Sequence, residues 1–398
     1  MLPKSWRRST LGEIARVTSG GTPDRSRPDY WGGDVPWVTT GEIQFNTITD
    51  TIEKITAAGL QNSSAKLFPP GTLLMAMYGQ GKTRGQVAKL GIDATTNQAC
   101  AAIQLQDNHD TDFYFQYLSS QYEELRELGN AGTQKNLNGG IIKGLDVPVP
   151  PYGEQRRIAQ ILATWDQAIV TAERVVANSQ RQRLGLTQTL ISDRSRQARG
   201  MPTLPREHAS AIFLPRSVRR NDGLELLSVM QDVGVVPRSS LDRKVVMPEG
   251  STDGYKLVEP GDFVISLRSF EGGLEYSRFR GLVSPAYTVL MPAKSIVDDF
   301  YRHYFKSREF IGRLAVAVIG IRDGKQISYD DFEFLKLPYP PIAEQEAIAN
   351  TLNAAEQVVK RHETYLQLLR QEKAALMSQL LTGKRRVKLP DAEAEVQA

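Results

Sequence analysis

The 398-residue chain is 40% hydrophobic and 24% charged, with 49 Lys and Arg against 45 Asp and Glu. That is the composition of a soluble globular protein with room for two or three domains, not of a disordered one. No stretch approaches the roughly 18 apolar residues of a membrane span, residues 1–11 lack the apolar block of a secretory signal, and the single cysteine excludes an internal disulfide; a cytoplasmic protein is expected.

Residues 1–147 read as one domain. Short apolar runs alternate with turn signals such as "SGGTP" and "YWGGD", the pattern of a mixed domain rich in strand. The strand-like "LLMAM" runs into "YGQGKTRG", where Ala76, Gly81, Lys82 and Thr83 match the spacing of a relaxed phosphate-binding loop. Such a loop must open directly into a helix whose free amides face the phosphates. Here Gly85 and Gly91 bracket "QVAKL", too short for a helix and close to strand length, and no convincing apolar run ending in Asp follows to hold magnesium. Cys100, within "TTNQACAAIQ", reads as a small buried thiol rather than a nucleophile.

Residues 148–199 differ in character. "VPPY", from Val149 to Tyr152, has the outline of the Asx-Pro-Pro-aromatic loop of amino-methyltransferases, but Val149 stands where the Asx would accept the target amine. The prolines instead set an extended entry to a helix that places Glu154 near its positive dipole end. Apolar residues then recur at Ile158, Leu162, Trp165, Ile169, Ala172 and Val176, a 4-3-4-3-4 spacing that keeps one stripe on one side of a helix. Ser179 and Arg183 interrupt it before Leu186 and Leu190. Lys and Arg outnumber Asp and Glu by eight to four in this segment, whereas residues 1–147 are near balance at 14 to 15, so any nucleic-acid argument rests on local placement.

Residues 200–337 and 338–385 repeat this plan, and residues 386–398 form a tail expected to fray. "VPVPPYGEQRRIAQIL" from Val147 aligns with "LPYPPIAEQEAIANTL" from Leu337, an offset of 190. The same offset matches "LFPPGTLLMAM" with "LVEPGDFVISL", and it slips to 187 between "DFYFQYLSS" and "DFYRHYFKS". The second stripe runs through Ile348, Leu352, Ala355, Val359, Leu366, Leu369, Leu376 and Leu380, with His362 and Lys373 as interruptions. Helices spanning Glu154 to Ser192 and Glu344 to Thr382 would each be roughly 39 residues, or about 58 Å, long. A narrow apolar stripe of that length needs a partner, and the nearest is the other copy. The chain order makes the pair antiparallel, with one globular domain at each tip. The fold class is therefore α+β: two mixed α/β domains joined by two long helices in an antiparallel coiled coil, a pseudo-twofold tandem repeat. Under "MAMYGQGKT" the second copy reads "ISLRSFEGG", so the strand and turn are retained and the tip varies, as binding loops do.

Two variable domains separated by duplicated "PP..EQ..IA..L" helices resemble the specificity subunit of type I restriction-modification enzymes over nearly the whole chain. "GGTPDRSRPDYWGGDVPWVTTGEI" together with "LLMAMYGQGKTRGQVAKLGIDATTNQACAAI" is similar to one type of target-recognition domain in that family. The resemblance implies a noncatalytic subunit in which each target-recognition domain reads half of a split, asymmetric duplex DNA site. It implies that the helices fix the spacer and dock two methyltransferase subunits, and that two motor and nuclease subunits can join. S-adenosylmethionine and ATP with magnesium are then expected on the partners, with no cofactor, metal or catalytic residue in this chain. Two unlike modules about a pseudo-dyad suit two unlike half-sites.

Base reading calls for bidentate donors at loop tips. The first domain offers Tyr78, Gln80, Lys82 and Arg84, then Thr39, Thr40 and Glu42, then Arg25 and Arg27. The second offers Arg268, Ser269, Arg278 and Arg280, and the loops before each long helix add Gln134, Lys135 and Asn136, and Arg322, Lys325 and Gln326. For each the competing reading is a solvated charge or a phosphate contact without sequence information. Trp31 and Trp37 could stack on bases or pack internally. Arg156, Arg157, Arg174, Arg181 and Arg183 on the first long helix could meet spacer phosphates, acidic partners or only solvent. Competing functions are a P-loop ATPase, an adenine methyltransferase, a coiled-coil scaffold without nucleic acid, and a specificity subunit of a related type II or phage-defence methylation system.

Overall fold

The computed structural model describes residues 2–79, 82–128, 136–219, 223–241, 254–267, 269–317 and 327–388. By contacts the chain divides into two compact units, Met1–Ala172 with Tyr365–Ala398, and Glu173–Thr364. The division cuts both long helices near their middles instead of falling at 147, 199 and 337. Each unit thus owns a head, the first half of one long helix and the last half of the other.

In the first unit, four consecutive buried residues, Leu73–Ala76, form the central strand of a five-stranded sheet. Its order is Ala15–Ser19, Cys100–Leu105, Leu73–Ala76, Val87–Leu90 and Thr47–Ile48, antiparallel except for the last pair. Strand alternation sends Leu73 and Met75 to one face and Leu74 and Ala76 to the other. Both faces are covered. Leu73 and Met75 join a core with Trp6, Ile103 and Phe113, while Leu74 and Ala76 join Ile48, Phe68, Ala88 and Cys100. "QVAKL" supplies the strand Val87–Leu90, so Lys82 and Thr83 are followed by a strand and not by a helix. A separate ribbon pairs Arg7–Thr10 with Asp146–Val149 and delivers the chain to the first long helix, Tyr152–Ile191.

The second unit repeats the plan with an aromatic core. Its sheet runs Phe213–Pro215, Thr288–Pro292, Phe263–Ile265 and Glu275–Tyr276, and the ribbon pairs Arg206–His208 with Lys336–Pro338 ahead of the second long helix, Ile342–Leu380. Register preserves the repeat: Leu73 faces Ile103 in the first sheet and Phe263 faces Leu290 in the second. Phe213, Phe263 and Phe305 interlock with ring centroids 5.0 to 5.6 Å apart.

Within each unit the two helix segments run antiparallel. In the first, Glu154 meets Arg386 and Asp166 meets Lys373 at 2.5 Å, so numbers rise along one helix as they fall along the other. In the second, Ser179 meets His362 at 3.2 Å and Arg196 meets Glu344 at 2.8 Å. Ser179 and His362, one polar interruption from each stripe, are therefore partners at the seam, whereas Lys373 pairs with Asp166. Ile158, Leu162, Ile348, Leu352, Val359, Leu366, Leu369 and Leu380 are buried, and Trp165, Ile169, Val176, Leu190 and Leu376 are half-buried. Leu186 departs from expectation: it is 38% exposed, while Ile191 is fully buried. A strict seven-residue repeat drifts by about 20° per heptad on a straight 3.6-residue helix, and by the fourth heptad the inward face has moved from 186 to its neighbours. Among the described residues no helix is long and apolar enough to cross a membrane.

Candidate nucleic-acid interface

The loops are carried by a frame that both units build with equivalent residues. Gln155 and Gln345, 190 apart, are each almost fully buried in the first turn of a long helix. Gln155 Oε1 accepts from the Asp110 amide at 2.8 Å and its Nε2 donates to the Pro150 carbonyl at 2.8 Å. Gln345 does the same with the Val297 amide and the Pro340 carbonyl, both at 2.9 Å. Each glutamine thus ties a head helix to the proline turn. Tyr114 and Tyr301 add a hydroxyl bond to the Pro148 and Pro338 carbonyls, at 3.1 and 2.7 Å.

A second pair of equivalents closes each unit. Arg386, just past the second long helix, reaches both oxygens of the buried Glu154 at 2.6 and 2.8 Å, and the Trp6 indole N–H donates to the same carboxylate at 2.8 Å. Arg196, the same offset earlier, holds Glu344 at 2.8 Å. Sequence reasoning placed Glu154 and Glu344 at the helix dipole and missed these arginine partners. The available signal was the constant offset of 190 between the two arginines and the two glutamates.

The predicted base-reading residues fall into distinct groups. Tyr78 and Lys82 are exposed at the tip between Leu73–Ala76 and Val87–Leu90. Arg84 is turned inward, its Nη2 donating to the Arg126 carbonyl at 3.0 Å, which corrects its placement as a free reader. The Tyr122 hydroxyl donates to the Lys82 carbonyl at 2.5 Å, and Phe45, held at a φ of +57°, packs edge-on against the Tyr122 ring at 5.2 Å. A positive φ at a bulky residue is strained and persists only where neighbours hold it. Phe45, Tyr122 and Arg126 therefore anchor the tip, a role their positions far along the chain hid.

Glu42 is also committed. Its carboxylate accepts from the Thr39 amide at 2.8 Å, the Thr39 hydroxyl at 3.0 Å and the Ile52 amide at 3.0 Å, capping the single turn Thr40–Glu42. Thr39 is consumed in the same turn, and Thr40 is half-buried. Arg25 makes a two-pronged pair with Glu53 at 2.6 and 2.9 Å and lies 3.7 Å over the Trp31 ring; Arg27 pairs with Asp29 at 2.8 and 2.9 Å. Trp37 is buried with its N–H on the Gly21 carbonyl at 3.0 Å, and Trp31 stands edge-on to it, so both tryptophans pack internally. Asn136 is exposed beside Leu137, whose amide is pinned to the Met77 carbonyl at 3.0 Å.

In the second unit Ser269 is fully buried, its hydroxyl oxygen accepting from the Ser266 amide at 2.8 Å, so it shapes the turn and does not face outward. Arg278 and Arg280 project with exposed side chains, near Asp299 at 3.8 Å and Glu259 at 3.2 Å. Gln80, Gln134, Lys135, Arg268, Arg322, Lys325 and Gln326 lie outside the described residues. On the first long helix Arg156, Arg157, Arg174 and Arg181 are exposed and Arg183 is half-buried. Burial, and then the Glu42 carboxylate, push the Cys100 thiol well above its ordinary pKa, which keeps it protonated and inert.

Each of the two units thus carries the same internally tied frame beneath a different tip. Residues 3–177 match the family described as the type I restriction modification DNA specificity domain. The type I restriction enzyme MjaIX specificity subunit of Methanocaldococcus jannaschii is 28% identical over 173 residues, 42% of this chain and 39% of the relative. The putative type I restriction enzyme MjaX specificity subunit of the same organism is 24% identical over 97% of this chain and 95% of its own length. Among solved structures, the type I restriction-modification S subunit from M. genitalium aligns over 96% of both chains, with a TM-score of 0.56 and 14% identity. A chain from a structural study of type I restriction-modification assembly and conformational transition aligns over 97% of this one and 100% of its own, with a TM-score of 0.63 and 17% identity. The chain is thus similar over nearly its whole length to type I restriction-modification specificity subunits.

Proposed function

We propose that this chain is a noncatalytic sequence reader in which each head recognises one half of a bipartite, asymmetric duplex site. The observation that carries this reading is the contrast between the copies. The frame residues Gln155 and Gln345, and Arg386 and Arg196, recur with equivalent bonds, while the tips exchange Lys82 for unrelated residues. Two heads of one shape and two loop chemistries suit two different half-sites.

The long helices then set the unread spacer and dock two methyltransferase subunits, to which two motor and nuclease subunits add. Under this reading S-adenosylmethionine and ATP with magnesium act on those partners, in the cytoplasm. The test uses the purified chain with its methyltransferase partner. A duplex carrying a single split site should shift, and substitution at Lys82 should alter base preference in one half only. ATP hydrolysis or DNA methylation by the isolated chain would overturn the noncatalytic reading, and an absence of any sequence-selective shift would favour a scaffold.

A further inference from the structure

Beneath the Tyr78 tip of the first unit lies a groove of about 360 Å³ between the strand Ala15–Ser19, the start of Cys100–Leu105 and the one-turn helix Gly139–Lys143. Tyr78, Gln98, Asn138, Lys143 and Thr18 line it. Both amide side chains have their oxygens engaged from within the fold. Gln98 Oε1 takes the Thr22 hydroxyl, and Asn138 Oδ1 caps its helix by accepting from the Ile141 amide at 2.9 Å. Their NH₂ groups, the Tyr78 hydroxyl and the Lys143 ammonium have no partner among the described residues, and the Thr18 hydroxyl is buried without one. The groove therefore presents donors.

We propose that this groove is a base-reading site that receives the major-groove edge of one guanine. Guanine alone offers two adjacent acceptors there, O6 and N7, whereas adenine and cytosine each place an amino donor that would face the donor-lined wall. The inference rests on the proposed DNA-reading function and assigns it residues outside the basic loops. The second unit supports a reading role by contrast. At equivalent positions Ser328 keeps only the capping duty of Asn138, accepting from the Asp331 amide at 3.1 Å, and Glu333 replaces Lys143. Pro285 falls where Gln98 stands when the strands are aligned through Ile103 and Leu290. The frame duty survives, while the donors of Gln98, Asn138 and Lys143 do not, and Arg268 stands in sequence where Tyr78 does.

The experiment selects duplexes from a fully randomised library with the full chain, alone and with its methyltransferase partner, and repeats the selection with Gln98→Glu, Asn138→Asp and Tyr78→Phe. The two acidic variants keep the internally used oxygen and replace a donor with an acceptor. Each should cut guanine enrichment at one position about tenfold or more, with Gln98→Glu shifting preference there toward cytosine, whose amino group donates. The other half-site should be unchanged. Tyr78→Phe, which adds no charge, should weaken the same position and carries the test if the acidic variants do not fold by circular dichroism. An unaltered motif at retained affinity, or a uniform loss across all sequences as a phosphate contact would give, overturns the groove assignment and leaves the DNA-reading function standing. Failure of the wild-type chain to enrich any motif in either form overturns both.

Discussion

Replacing Gln345 with leucine isolates the contribution of the repeated glutamine ties. The residue is fully buried, and leucine nearly fills its volume, so the perturbation is the loss of two hydrogen bonds with little cavity. The Val297 amide and the Pro340 carbonyl, each 2.9 Å from Gln345, lose their partner. An orphaned buried polar group costs about 1–3 kcal/mol, so the pair should cost about 2–5 kcal/mol, with the carbonyl at the lower end because its second lone pair can find other donors. That is a large fraction of the roughly 5–15 kcal/mol that holds an ordinary domain together. Two compact units in one chain make a single global unfolding free energy ill-defined. The suitable assay is hydrogen exchange resolved by peptide, read at the helix Asp298–Tyr304, which follows the Val297 amide. Its protection should fall by an amount equivalent to that range, while the strands of the first unit keep theirs. Gln180→Leu, which breaks only an exposed 2.8 Å bond to Glu363, should shift protection by less than about 0.5 kcal/mol. A Gln345→Leu effect no larger than that control would refute the idea that these glutamines fasten the heads.

Three further outcomes are expected. Leu352→Ala, at a fully buried seam position, should cost the second unit about 2–5 kcal/mol, measured as lost exchange protection in Ile342–Leu380. Tyr122→Phe removes the hydroxyl bond to the Lys82 carbonyl, worth about 0.5–1.5 kcal/mol. It should raise exchange at the Gly85 and Gln86 amides of that tip and blunt base preference in one half-site, without lowering the melting temperature of the second unit. Burial, then the neighbouring Arg302, lower the His303 pKa below its ordinary value, while Asn353, Glu356 and Asp299 act the other way. The folded state therefore resists the proton, and stability should fall as pH drops below about 6.5, by no more than roughly 1.4 kcal/mol per pH unit. Burial raises the Asp262 and Glu275 carboxyls, whose contribution has the opposite sign, so the measurement is the difference between wild type and His303→Gln across that window.

The long helices were legible because their signal is one-dimensional. A stripe at heptad spacing after a double proline fixes start, length and inward face, and the observed Tyr152–Ile191 and Ile342–Leu380 lie within two residues of the expected limits. Leu186 was misplaced because the seven-residue count was carried too far along a helix of 3.6 residues per turn. The tips were harder for another reason. Whether Arg84 or Ser269 faces outward depends on a bond to a residue remote in sequence or on the closure of a tight turn, and composition carries neither. Tyr122 and Phe45 left no mark near Lys82 in the chain, although they hold it in space.

Under the proposed function, commitment of hydrogen-bonding groups is a better guide than charge to which residues frame the heads and which read. Arg25, Arg27, Arg196 and Arg386 are basic, yet each spends its guanidinium on a carboxylate within 3 Å. Each would have to break a formed pair before it touched a base, and a two-pronged arginine pair is among the stronger hydrogen-bonded arrangements a surface can make. Lys82, Tyr78, Gln98 and Lys143 face no such cost, because their donors are uncommitted among the described residues. The same distinction explains why net charge was uninformative. A reader needs a few free donors at one tip, and a chain with 49 basic and 45 acidic residues can supply them at near-balanced total charge. It follows that Arg25→Ala should disturb the Trp31 packing more than base preference, and Lys82→Ala the reverse. If selection on random duplexes gave the opposite ranking, uncommitted donors would not be what marks the reading surface.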